Sequence, residues 1–180
     1  MSAMEIIKAR ERRITVLQGT AEVSDVSGIV LTTVLGSCVA ACLYDPVARL
    51  GGMNHFLLAE PGATGLNGAD EAYGVYLMEI LINAMLVRGA QRSRLRARLY
   101  GGANFNPAMA FVGQANAAFA QDFMAREGIE CLVADLGGRA ARRVEFAPSS
   151  GRVRSLVVDA RAVPPPVRAQ TRARNDVELF

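Results

Sequence analysis

Two residues of this chain have the chemistry of a nucleophile and its base, and they lie close together in sequence. Cys38 closes the string Leu35-Gly36-Ser37-Cys38, and His55, the only histidine of 180 residues, follows Asn54 seventeen positions after the cysteine. A thiol is a weak nucleophile and a thiolate a strong one; with an ordinary pKa of about 8.5, activation needs an electropositive neighbour. Histidine supplies that and shuttles the proton. Gly36 lacks a β-carbon, so it permits a tight turn and bares main-chain N–H groups beside the sulfur, where they could hold the oxyanion of a tetrahedral intermediate. A third group must orient the imidazole through its other nitrogen. Thr32, Thr33, Ser37 and Asn54 are the candidates. Thr32 and Thr33 are consecutive on a strand and point to opposite faces, so at most one serves, and the residues alone do not choose. Cysteine in an apolar strand is also a common core residue. Cys42, about 13 Å further along an extended strand, reads as core.

The elements that must bring Cys38 and His55 together follow from periodicity. Ile14 to Leu17 suits a short strand. Ile29–Leu35 is an apolar, β-branched run, broken by Gly36-Ser37 and resumed as a second strand from Cys38 to Tyr44. Asp45-Pro46 marks a turn, and Leu50 to Leu58 is a third strand carrying Asn54 and His55. Tight turns between the three predict adjacent antiparallel neighbours. The glycine-rich segment 59–69 is either a rim of the site or an ordinary connection. A helix capped near Asp70, with Tyr73, Leu77, Ile80, Leu81 and Ala84 at helical spacing, ends at Gly89. Leu95–Tyr100 is a strand, 114–126 a second helix with Phe119, Ala120 and Phe123 on one side, and Ile129–Asp135 another strand. Arg142–Phe146 and Arg152–Val158 pair as a hairpin across Pro148–Gly151. About eight strands cannot be covered on both faces by two helices, so the expected fold is α+β, with two sheets packed together and the helices on an outer face. Residues 1–160 form one domain, and Pro164-Pro165-Pro166 opens an extended tail, 161–180.

Composition excludes several classes. Hydrophobic residues make up 51%, too many for a disordered body. The net charge is only +3, and the alternating Arg92, Arg94, Arg96 and Arg98 read as the wet face of a strand, so nucleic acid is not an expected partner. One histidine and three scattered cysteines fit a four-ligand zinc site poorly. Gly101-Gly102 and Gly137-Gly138 lack the lysine and spacing of a phosphate loop. Neither a metal nor a cofactor is expected. The start, MSAMEIIKARERR, has no apolar signal core, and no stretch reaches ~18 apolar residues, so membrane insertion is not expected and the location should be cytoplasmic.

Leu35-Gly36-Ser37-Cys38-Val39-Ala40, Cys42-Leu43-Tyr44-Asp45, Gly51-Gly52-Met53-Asn54-His55-Phe56, Tyr73-Gly74, Gly101-Gly102-Ala103 and Asp135-Leu136-Gly137-Gly138 with Arg143 resemble the chemoreceptor glutamine deamidase family CheD of bacterial and archaeal chemotaxis, over residues 14–158. The resemblance implies a three-layer α/β/β fold with Cys38 as nucleophile, His55 as base and, six positions before the cysteine, Thr32 as their third member. It implies hydrolysis of glutamine side-chain amides in the cytoplasmic domains of methyl-accepting chemoreceptors, with methyl-ester hydrolysis also associated with members. The phosphatase CheC is a partner of many members. Gly36, Ser37, Asn54, Gly101 and Gly102 are then expected around the oxyanion or the substrate groove, with 100–106 and 59–69 as walls of a shallow groove that reads a helical surface. The family commonly has a charged pair, often glutamate–arginine, after the glycine that precedes the second helix; here the stretch is Gly113-Gln114-Ala115-Asn116. An adaptor with secondary or absent catalysis, and a thiol amidase for a small molecule, are the competing functions.

Overall fold

The computed structural model describes residues 11–59, 65–104, 107 and 110–167. Among the described residues nine strands form two sheets. β1 (Arg12–Thr15), β3 (Ile29–Leu35), β8 (Ala141–Ala147) and β9 (Arg152–Val158) make a four-stranded sheet in the order β1-β3-β8-β9. β2 (Thr20–Ser24), β5 (Leu50–His55), β4 (Val39–Asp45), β6 (Arg96–Gly101) and β7 (Glu130–Leu136) make a five-stranded one in the order β2-β5-β4-β6-β7. The helices α1 (Gly68–Val87) and α2 (Ala110–Glu127) pack on the five-stranded sheet, whose other face packs on the smaller sheet. This is the expected α/β/β sandwich.

Strand alternation decides which layer each side chain enters. On β4, Val39, Ala41 and Leu43 join the core under the helices, while Ala40 and Cys42 join the core between the sheets. On β5 and just beyond it, Leu50, Phe56 and Leu58 take the helix side, and Met53 and Leu57 the inter-sheet side. Phe56 meets Phe119 of α2 edge-on at 6.0 Å, worth about 0.5–1.5 kcal/mol beyond the area buried.

Several expectations change. β3 and β4 are not neighbours: the chain passes from one sheet to the other through Gly36-Ser37, and of the three strands β3, β4 and β5 only β4 and β5 pair, antiparallel. Periodicity sees two apolar runs and a turn but not that the turn changes layers. β2 has no such signal, being short and mixed in polarity, and the strand expected at 14–17 is Arg12–Thr15. The cap of α1 is Asn67, whose side chain accepts from the N–H groups of Ala69 and Asp70, while Asp70 returns a bond to the Asn67 N–H as the far half of a capping box. The buried face of α1 is Gly74, Leu77, Met78, Leu81, Ile82 and Met85, which leaves Tyr73 and Ile80 partly exposed. The arginine series is consumed within the chain: Arg92 pairs with Glu79 and Glu127, Arg94 with Asp45, Arg96 with Glu130, and Arg98 donates to the Gly151 carbonyl. Residues 60–64, 105 and 106 of the expected groove walls, and 168–180 of the tail, lie outside the described residues.

Asp45 anchors the turn after β4. Its sealed carboxylate accepts from the N–H groups of Val47, Ala48 and Gln91 and from the Arg94 guanidinium, 2.8 Å away at the closest. Burial pushes its pKa up, but Arg94 and the three N–H donors outweigh this and hold it below the usual carboxylate range. Because the folded pKa is depressed, the stabilisation is present above the unfolded value of about 3.9 and is lost as pH falls below it. Asp45→Asn is expected to cost about 3–5 kcal/mol in denaturant unfolding at pH 7, since Arg94 loses its counter-charge. The difference from wild type should shrink on acidification; a gap unchanged from pH 7 to pH 3 would contradict this account.

Candidate active site

The sandwich has one end at which the chain changes sheets three times. It crosses from β1 to β2 through 16–19, from β3 to β4 through 36–38 and from β7 to β8 through 137–140. Cys38 lies on the second crossing, and His55, at the end of β5, is held under the first by a bond from the Gly19 N–H to its carbonyl, 2.7 Å. Both side chains line one open cavity of about 540 Å³, with Val16, Gln18, Thr32 and Thr33 among its walls.

The turn at 36–38 is held by its carbonyls. Gly36 O accepts from the Ala103 N–H (2.8 Å), Ser37 O from the Asn116 carboxamide (2.9 Å) and Cys38 O from the Gly102 N–H (2.8 Å). In a trans peptide the N–H points opposite to the carbonyl, so the N–H groups of Ser37 and Cys38 are turned away from these anchors. Gly101 and Gly102 stand behind the turn and not on the cavity wall. Both have positive φ (112° and 66°), and a β-carbon on Gly101 would sit 2.1 Å from the Cys38 carbonyl oxygen. Asn116, buried completely, ties Ser37 to the Leu58 N–H and so fixes the turn to α2 and to the end of β5. The sequence marked Asn116 only as part of a departure from a family pattern, and nothing in its spacing announced this contact.

The contacts at Nδ1 select one tautomer of the imidazole. Thr33 Oγ1 donates its single hydrogen to the Val16 carbonyl (3.0 Å), so toward His55 Nδ1, 2.9 Å away, it accepts. Nδ1 also lies 3.3 Å from the Val16 carbonyl, which can only accept. Nδ1 therefore carries the hydrogen, and Nε2 presents a lone pair. Among the described residues Nε2 has no hydrogen-bond partner although it is buried. Burial lowers the His55 pKa to about 4 against a smaller opposing effect of the Val16 carbonyl, and burial raises the Cys38 thiol to about 12 against its own N–H. At rest the pair is a neutral thiol and a neutral imidazole.

The hydroxyl on the imidazole is thus that of Thr33, where the resemblance pointed to Thr32. The two face opposite sides of β3: Thr33 is buried toward the other sheet, and Thr32, half-buried, is on the outer face and reaches the cavity wall. Asn54 also turns away, filling the helix side. Its Oδ1 accepts from the Ala41 N–H, and its Nδ2 donates to Leu77 O and faces Met78 Sδ. Gln18, on the first crossing, was missed altogether: a glutamine before a turn glycine carries no signal of its own.

An α+β sandwich with a thiol and an imidazole set between its sheets is the class that the fold and site define. A family model described as CheD chemotactic sensory transduction matches residues 57–156. Relatives titled "Probable chemoreceptor glutamine deamidase CheD" include one from Zymomonas mobilis, 54% identical over 82% of this chain and 81% of that one. Another, from Caulobacter vibrioides, is 46% identical over 95% of each chain, and one from Agrobacterium fabrum is 44% identical over 97% of this chain and all of that one. The chain belongs to the CheD family. A solved structure of the Bacillus licheniformis hypothetical protein YfiH overlaps 71% of this chain and 61% of its own at 15% identity, with a TM-score of 0.41. Among the described residues no helix is long and apolar enough to cross a membrane.

Proposed function

We propose that this protein is a chemoreceptor glutamine deamidase that acts in the cytoplasm through a Cys38 thioester. The observation that carries the mechanism is the bare, buried Nε2 of a neutral His55 in the same cavity as a neutral Cys38 thiol. Nε2 takes the thiol proton as the sulfur attacks Cδ of a receptor glutamine. The N–H groups of Ser37 and Cys38 are the oxyanion donors, since their carbonyl partners are held on the opposite side. The imidazolium returns its proton to the leaving nitrogen, releasing ammonia and leaving the acyl group on sulfur. Water then gives a proton to Nε2 and its oxygen to the carbonyl carbon; collapse expels the thiolate, which recovers the proton. The net change is one water consumed, with glutamate and ammonia formed. Thr33 holds the imidazole, and Thr32 is a hydroxyl on the wall that substrate meets. The names of the relatives support the substrate class.

The test is mass spectrometry of a purified receptor cytoplasmic domain incubated with the full chain or with its Cys38→Ala variant. Deamidation adds about 1 Da at each glutamine converted, and the gain should be absent with the variant. No gain with the wild type, together with retained receptor or CheC binding, would make the protein an adaptor instead.

A further inference from the structure

The Gln18 side chain stands between the sulfur and the C-terminal segment. Its Oε1 accepts from the Cys38 thiol at 3.9 Å and from the Val167 N–H at 3.3 Å, while its Nε2 donates to the Val167 carbonyl at 2.9 Å. Val163, Pro164, Pro165 and Val167 line the same cavity as Cys38 and His55. One carboxamide edge thus reads the N–H and C=O of one residue, directly over the nucleophile.

A primary carboxamide offers the same pair, a carbonyl and the N–H syn to it, along one edge. We propose that Gln18 is a further catalytic residue, which pairs edge to edge with the carboxamide of the substrate glutamine and for which the main chain of Val167 now stands in; this rests on the deamidase reading above. In that pairing Gln18 Nε2–H donates to the substrate carbonyl oxygen and Oε1 accepts from the substrate NH2. The first bond strengthens as the oxygen becomes an oxyanion. The second keeps the amide plane square to the sulfur. The product carboxylate has no N–H to offer and places a negative oxygen against Gln18 Oε1, so the same edge that takes the amide rejects the acid. The segment 163–167 and the substrate compete for it.

Two full-chain variants separate these roles. Gln18→Leu removes the edge. Val167→Pro removes the N–H that binds Oε1, keeps an apolar side chain of similar size on the wall, and follows three prolines that already hold the segment extended. Receptor deamidation by Gln18→Leu should fall about 10²-fold in kcat, the loss of one oxyanion donor. Val167→Pro should lower KM with kcat kept, and the double variant should match Gln18→Leu alone. The second readout needs no receptor: alkylation of Cys38 by iodoacetamide, which carries a primary carboxamide, against iodoacetate, which does not, with peptide mapping to separate Cys131. The ratio of the two rates should drop about tenfold in Gln18→Leu, the worth of a net hydrogen bond, and rise in Val167→Pro. A ratio and a kcat unaffected by Gln18→Leu, with wild-type deamidation intact, would overturn this inference and leave the function standing. A ratio that falls as expected while the wild type deamidates no receptor would sustain the pairing and remove the function.

Discussion

Cys38→Ala and His55→Ala are each expected to lower kcat for receptor-glutamine deamidation by roughly 10⁴-fold, and the double variant by little more than either alone. The reason lies in the resting state. The thiol is neutral up to about pH 12 and the imidazole neutral down to about pH 4, so neither is activated without the other. In the proposed mechanism proton transfer and attack at Cδ are one event, and either partner's loss removes it. The same state fixes the pH dependence. Protonation of Nε2 removes the base, so kcat/KM should rise through about pH 4 and run level across neutrality. An unperturbed histidine would place that limb near ~6.5. His55 is the only histidine, so its nitrogen resonances can be followed in the intact protein without assignment. They should show hydrogen on Nδ1 and none on Nε2 at pH 7. A limb near pH 6.5, or a bare Nδ1, would refute the neutral-pair account.

The second large effect belongs to Thr33. Thr33→Val keeps the shape of the side chain but removes the acceptor 2.9 Å from Nδ1, leaving only the more distant Val16 carbonyl at 3.3 Å. A buried donor that loses its partner costs about 1–3 kcal/mol. Spent on holding the imidazole in one tautomer and orientation, that is roughly a 10–100-fold fall in kcat. Thr33→Ser retains the hydroxyl and should restore most of it. Thr32→Val touches only the cavity wall and should act on KM and not on kcat. Steady-state kinetics of the three variants, with the His55 resonances as a second measurement, decide the matter. A kcat loss in Thr32→Val with Thr33→Val unaffected would return the role to Thr32.

The chain announced its chemistry more openly than its layers. A unique histidine, a cysteine after a glycine turn and the alternation of β4 and β5 pointed to Cys38 and His55, which line one cavity, because residue type and period-2 placement are local properties. The α/β/β arrangement followed from the same arithmetic: two helical periods cannot cover so many strands. The hairpin of β8 and β9 was legible because its turn and its two mixed strand segments are contiguous.

What the sequence left open depends on contacts between distant segments. Which threonine reaches the imidazole turns on which face of β3 is buried. That in turn depends on β3 and β4 lying in different sheets, although the break at Gly36-Ser37 reads equally well as a hairpin turn. Thr33 meets His55 across 22 positions, Asn116 meets Ser37 across 79, and Gln18 meets Val167 across 149. Thr33, Asn116 and Gln18 are ordinary polar residues whose contacts come from their neighbours and not from their own type or spacing. The sequence by itself therefore determined the candidate nucleophile and base and the layer architecture. Only packing of the two sheets decided the tautomer of the base, the carbonyl anchors of the turn and the occupant of the groove, since hydrogen-bond geometry exists only once the chain has brought donor and acceptor together.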